Sequence, residues 1–172
     1  PICHSSIEKS VGEVIARCTG GLLCNAQKLQ SITHFAHRRA MNIDGLGDET
    51  IEAFYQRGLV SQISDLYILH EKADELKKIE RFGEKSIENM LKGIEESKKM
   101  PFEKLLFGLG IRYVGETVAK KLARAVKNID NLVFSKQLKD DENKEIIVKH
   151  MSLSEFVYKV YLNVAKHIYT KP

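Results

Sequence analysis

From Ser31 to about Leu132 the apolar residues recur at spacings of three and four, and nothing in that stretch alternates with period two. Such a pattern is that of amphipathic helices, each burying one stripe. Short glycine-containing turns interrupt it, so the middle of the chain is expected to be all helix, with Ile87, Leu91 and Ile94 as a core stripe. The first thirty residues lack a long helical period and read as a compact loop module. Beyond Asn131, residues 136–149 are charge-rich and read as a solvated helix or linker. Ser152 and Glu155 have capping-box spacing, and Phe156, Val160, Val164 and Ile168 come next at intervals of four, which predicts a final amphipathic helix.

Internal repetition organises the middle region. The segments MNIDGLGDETIEAFY from Met41, LKKIERFGEKSIENML from Leu76 and LGIRYVGETVAKKL from Leu109 share one shape: an apolar residue, a short turn ending in glycine, an acid, then an amphipathic helix. The aligned glycines are Gly47, Gly83 and Gly115, followed by Asp48, Glu84 and Glu116. Separations of 36 and 32 residues suit one helical hairpin per repeat. All 11 glycines lie at or before Gly115, so the last forty or so residues cannot hold another turn of this type. The expected division is a cysteine-rich module at 1–30, a helical domain at 31–132, and a charged linker with a terminal helix at 133–172.

Composition narrows the function classes. The 172 residues are 43% hydrophobic and 29% charged, enough for one core plus a small stapled module. A formal net charge of +4 is too small for a uniformly cationic coat, so any polyanion site must be local. No run of eighteen apolar residues and no basic-then-apolar leader occurs, which argues against a membrane span or secretion signal and for the cytoplasm.

All three cysteines, Cys3, Cys18 and Cys24, fall within the first 24 residues, with fourteen and five residues between them. An odd number in one small region fits a metal site better than a disulfide framework. Zinc takes four tetrahedral ligands, so one position remains. His4 and His34 are possible completions, but His4 adjoins Cys3 and His34 sits where a helix is expected to start. The favoured reading is a cysteine directly before Pro1, which would form a Cys-Pro-x-Cys knuckle. His34 and His37 lie three apart without a matched carboxylate pattern, and a metal or acid-base role for them is disfavoured.

The glycine turns carry the second chemistry. Backbone N–H groups exposed at a helix start, reinforced by the helix dipole, hold anions, and phosphate is the expected guest. Backbone donors position a phosphate chain without reading bases. Gly45 and Gly47 form the most complete pair; Arg81 and Tyr113 stand where the second and third repeats would have the first glycine. Arg38 and Arg39 before the first turn, Arg81 and Lys85 around the second, and Arg112 and Lys120 around the third would supplement these sites. The bland alternative is that such cations are ordinary surface, and that Asp44 and Asp48 merely favour a helix N-terminus.

The strings HFAHRRAMNIDGLGDETIEAFYQRGLVSQISDLYIL, IERFGEKSIENMLKGIEESK and LLFGLGIRYVGETVAKKLA closely resemble the region of bacterial NAD-dependent DNA ligases that joins the zinc finger to the helix-hairpin-helix domain. The cysteine spacing also resembles that family's four-cysteine finger, and the likeness covers about residues 1–132. It implies a mostly α fold: a small zinc-finger module with its first ligand just outside the chain, then an all-helical helix-hairpin-helix domain. It implies, too, a parent enzyme that seals nicks in replication and repair, with NAD and magnesium used by the full-length protein. The adenylation motif Lys-x-Asp-Gly does not occur here, so this chain is expected to be inactive alone. Its expected partners are nicked double-stranded DNA and the adenylation and oligonucleotide-binding domains of the same parent, with no membrane and no second copy. Two other classes remain: an independent helix-hairpin-helix protein of repair or recombination, and a structural protein-interaction module whose hairpins only join helices. The stretch after residue 132 departs from the family pattern.

Overall fold

The computed structural model describes residues 2–9, 12, 14–79, 82–111 and 114–127. The expected linker at 136–149 and helix from Ser152 lie outside these residues, as do Arg81 and Arg112.

The N-terminal module is a short antiparallel hairpin, β1 (Ile7–Glu8) against β2 (Arg17–Cys18), with Ile7 opposite Cys18, and then a 3-10 turn at Gly21–Leu23. Among the described residues before Asn25, only Cys24 is buried, while Ile2, Ile7, Val14, Ile15 and Leu23 are exposed. A segment with so little apolar burial needs a covalent or metal staple to hold its shape.

Beyond Cys24 the described residues are mainly helical: α1 (Asn25–Ala36), α2 (Asp48–Gln56), α3 (Ala73–Leu76), α4 (Glu84–Ser97), α5 (Phe102–Gly108) and α6 (Glu116–Val126). Helix α1 begins at Asn25, so the expected boundary at residue 30 falls inside it, and His34 lies in its last turn instead of its first. The cause is local. Cys24, whose carbonyl accepts the Lys28 N–H at 2.9 Å, starts the helix from within the cysteine module, and the first turn carries no apolar stripe to announce it.

Each of the longer helices turns its stripe into one continuous core. Helix α1 contributes Ile32, Phe35 and Ala36, α2 contributes Ile51 and Phe54, α4 contributes Ile87, Met90 and Ile94, and α6 contributes Ala119, Leu122 and Val126. Leu91, placed in the core stripe by its spacing, is half-buried against that cluster. Between α2 and α3 the chain runs as a ten-residue 3-10 segment, Ile63–Lys72. Spans that long are uncommon because i to i+3 geometry is poorer. Here Asp65 anchors the entry, accepting from the Ser61 N–H and hydroxyl at 2.8 Å each and from the Gln62 N–H at 3.1 Å. Buried Leu66, Tyr67 and Leu69 hold the segment to the core.

The first turn is seated directly on α4. A Cβ built at Gly93 would stand 2.6 Å from the Asp44 carbonyl oxygen, and one built at Gly45 would stand 3.0 Å from Met90 Cβ. The first and second repeats therefore pack backbone to backbone, which only glycine permits.

Candidate functional site

Cys3, Cys18 and Cys24 converge although fourteen and five residues separate them in sequence. Their sulfurs all lie within 4.8 Å of one another, and Cys3 and Cys18 Sγ are 3.3 Å apart. Sulfurs on one tetrahedral zinc with bonds of about 2.3 Å are separated by roughly 3.8 Å, so the three thiols fit that ion. The strand pairing sets Cys18, the 3-10 turn sets Cys24, and Gly20 closes the space between: a Cβ there would stand 2.8 Å from Ser5 Oγ and 3.0 Å from Cys3 Sγ. The Gly20 N–H also donates to Cys18 Sγ at 3.4 Å.

The thiols are electrostatically unequal. The Ser5 hydroxyl, then the Ser5 amide and the neighbouring thiols, lower the Cys3 pKa to about 6. At Cys18 the Gly20 amide favours the thiolate, but the bond to Cys3, desolvation and the charges of Cys3 and Cys24 outweigh it and push the pKa up. One thiolate forms readily and opposes the next, and a cation shared by the three sulfurs would offset that repulsion. Among the described residues no histidine or carboxylate joins the three. His34 is committed elsewhere, with Nε2 at 3.0 Å from the Phe107 carbonyl oxygen and its ring edge-on to Phe107. His37 is the exposed C-cap of α1.

The three repeat glycines occupy one conformation. Gly47, Gly83 and Gly115 are N-caps of α2, α4 and α6, with φ of −76°, −74° and −79° and ψ of 170°, 160° and 178°. Any residue can adopt that extended backbone, so the turn does not require glycine at these positions. None of the three helices has a side-chain cap bond, and nothing lies within 4 Å of where a Cβ would stand at any of them. Each of these helix starts thus lacks a side-chain cap and is unobstructed where a Cβ would stand, which leaves its leading amides without a side-chain partner. Gly45 differs. Its φ is +82° and it abuts Met90, so its glycine has a folding reason independent of any ligand.

Arg38, Lys85 and Lys120 are exposed and make no side-chain ion pair or hydrogen bond with other described residues. Arg39 is engaged: its Nη2 donates to Glu116 Oε2 at 3.0 Å, and its guanidinium carbon lies 5.9 Å from the Phe107 ring centroid. Lys104, which sequence reasoning missed, completes the group, with Nζ 3.4 Å from Glu116 Oε1 and 2.9 Å from the Arg39 carbonyl oxygen. Arg39, with Lys104 next, holds the Glu116 carboxyl below the usual range. No local pattern announces this trio, because its members are 77, 65 and 12 residues apart. The acid of the second repeat also faces a cation, with Glu84 Oε1 3.3 Å from Lys77 Nζ.

Among the described residues no helix is long and apolar enough to cross a membrane. Residues 1–26 match the family model described as the NAD-dependent DNA ligase C4 zinc finger domain, and residues 104–146 match a helix-hairpin-helix motif. The second match continues into the stretch read as atypical. The chain is 52% identical over 132 residues to a DNA ligase of Phocaeicola vulgatus, 46% over 133 to one of Psychrobacter sp. and 47% over 133 to one of Coxiella burnetii. Each alignment takes in 77% of this chain but only 20%, 19% and 20% of the respective relative, so the chain spans about a fifth of the length of the curated relatives it matches.

Proposed function

We infer that this chain, which belongs to the NAD-dependent DNA ligase family through its zinc-finger and helix-hairpin-helix regions, is a DNA-binding region that holds nicked duplex by its phosphate backbone. One observation carries the reading: three helix starts with the same glycine-capped geometry, no side-chain cap and no neighbour where a Cβ would be. Such amides bind phosphate oxygens, and a missing side chain lets a sugar-phosphate backbone approach. Exposed Arg38, Lys85 and Lys120 add long-range attraction. Arg81, Arg112 and Gly45 belong to the same reading as residues at the turns.

Cys3, Cys18 and Cys24 would hold a zinc ion, which would supply folding energy to this module. It would tie the β hairpin to the start of α1. The matching family model is of a C4 finger and this chain has three cysteines, so a tetrahedral zinc would take one further ligand from outside the three.

The sealing chemistry, with its NAD and magnesium, we assign to adenylation and oligonucleotide-binding domains of a longer cytoplasmic protein acting in replication and repair. This region, acting as a monomer, would position the duplex for them. The test is fluorescence anisotropy of two nicked duplexes of unrelated sequence, titrated at several salt concentrations. Equal affinities with log K falling against log salt at a slope of roughly −3 to −6 are expected for a few phosphates held without base reading. Absence of binding at low salt would overturn the proposal, and a strong preference for one sequence would overturn its backbone-only form.

A further inference from the structure

The Glu116 carboxylate lies between two cations drawn from different parts of the fold. Oxygen Oε2 takes the Arg39 guanidinium at 3.0 Å and Oε1 faces the Lys104 ammonium at 3.4 Å. A phosphodiester has the same valence, one negative charge shared by two terminal oxygens. We propose that Arg39 and Lys104 form a phosphate-binding pair of the duplex site, which the Glu116 carboxylate fills in the free chain and vacates when DNA binds. This rests on the DNA-binding reading above and specifies how one contact is made.

Three features support the exchange. First, the group is accessible: the side chains of Arg39, Glu116 and Lys104 keep 64%, 35% and 29% of their exposure, and ion pairs this open contribute little net stability, so the carboxylate can leave at small cost. Second, the cations keep their places when it leaves. Lys104 remains bonded to the Arg39 carbonyl oxygen at 2.9 Å, and Arg39 lies over the Phe107 ring, 5.9 Å from its centroid. Helix α5, which carries Lys104 and Phe107, is fixed by buried Leu105 and Leu106 and does not depend on the ion pair. Third, Glu116 directly succeeds Gly115, the bare N-cap of α6, so a phosphate arriving at that helix start meets Glu116 and its two cations first. Arg39, which precedes the first turn in sequence, thereby serves the third.

The experiment is the same anisotropy titration on the unaltered chain, Glu116→Gln, and the double variant Arg39→Gln with Lys104→Gln, each checked by circular dichroism. Removing an internal competitor of ordinary surface-pair strength should tighten duplex binding of Glu116→Gln on the order of two- to fivefold. The double variant should bind more weakly and lose about 0.9 from the salt slope, the equivalent of one phosphate. A folded Glu116→Gln that binds equally or more weakly would overturn the exchange and make the trio a clamp between repeats. A double variant with an unchanged slope would also overturn it, even if Glu116→Gln failed to fold. If the unaltered chain itself showed no affinity, the DNA-binding reading would fall and the exchange with it; a chain that binds while the double variant keeps its slope loses the exchange alone.

Discussion

Gly93 and Asp44 meet backbone to backbone: a Cβ at Gly93 would lie 2.6 Å from the Asp44 carbonyl oxygen and 3.1 Å from its nitrogen. Gly93 is buried in the third turn of α4, while Asp44 belongs to the turn that ends at Gly47. The contact sets the first repeat against the second with no side chain between them. Gly93→Ala improves helix propensity but must push two main chains apart. Overpacking of this kind costs about 1–3 kcal/mol and outweighs the propensity gain of roughly 1 kcal/mol. A lowered melting temperature is expected by circular dichroism, and an unchanged or raised one would show that the turn yields freely.

Gly45 and Gly47 are two residues apart and should respond in opposite ways. At Gly45 the φ of +82° and the Met90 contact at 3.0 Å make Gly45→Ala strained and crowded, with a loss of about 1–3 kcal/mol. At Gly47 the backbone is extended and the space is open. Serine there becomes an N-cap whose hydroxyl binds first-turn amides, so Gly47→Ser should raise stability by a few tenths of a kcal/mol, on the order of the known serine-glycine difference. The same hydroxyl takes the donors that a phosphate would use. Duplex affinity should therefore fall in a protein no less stable than the parent, and retained affinity would remove the α2 start from the interface.

That contrast marks where the sequence is legible and where it is not. The repeat exposes Gly47, Gly83 and Gly115 together, because a turn used three times leaves a periodic trace. Spacing alone does not separate Gly45 from them, since a glycine at positive φ and one in extended backbone are the same letter. The helical stripes of α2, α4 and α6 are readable because each buries one face. The start of α1 is not, since Asn25, Gln27, Lys28 and Gln30 form no apolar stripe around Leu29. The 3-10 run at Ile63–Lys72 shares the three-residue spacing of an α-helix and is fixed by Asp65 acting on Ser61 and Gln62. Arg39 stands out by its charge, but its partners, 77 and 65 residues away, depend on how α5 and α6 fold back.

Tyr67 and Ser97 form a buried polar link, 3.2 Å apart, between the 3-10 run and the end of α4. Ser97 Oγ also bonds the Ile94 carbonyl at 2.6 Å, so loss of the tyrosine hydroxyl leaves the serine satisfied. Tyr67→Phe keeps the edge-on contact with Phe35 and removes the hydrogen bond to Ser97. The expected loss is about 1 kcal/mol, or a melting shift of roughly 2–6 °C. A loss several times larger would mean that the hydroxyl organises more than this pair.

The cysteine cluster predicts an order of reactivity with pH. In the metal-free chain Cys3, lowered to about 6 by the Ser5 hydroxyl first and the Ser5 amide next, should be alkylated by iodoacetamide with a rate half-maximal near that pH. Cys18, pushed up chiefly through its bond to Cys3, should react only in more alkaline solution. The Cys3 pKa is depressed by folding, so its contribution to stability is complete above the unfolded thiol value and disappears as pH falls through about 6. Protons and zinc compete for the same sulfur, hence metal retention should decline over that acidic range and stoichiometric zinc should block alkylation of all three thiols. Peptide mapping by mass spectrometry resolves the sites, and Ser5→Ala supplies the control. Its Cys3 midpoint should move toward that of an ordinary thiol, and an unmoved midpoint would show that Ser5 does not set the asymmetry.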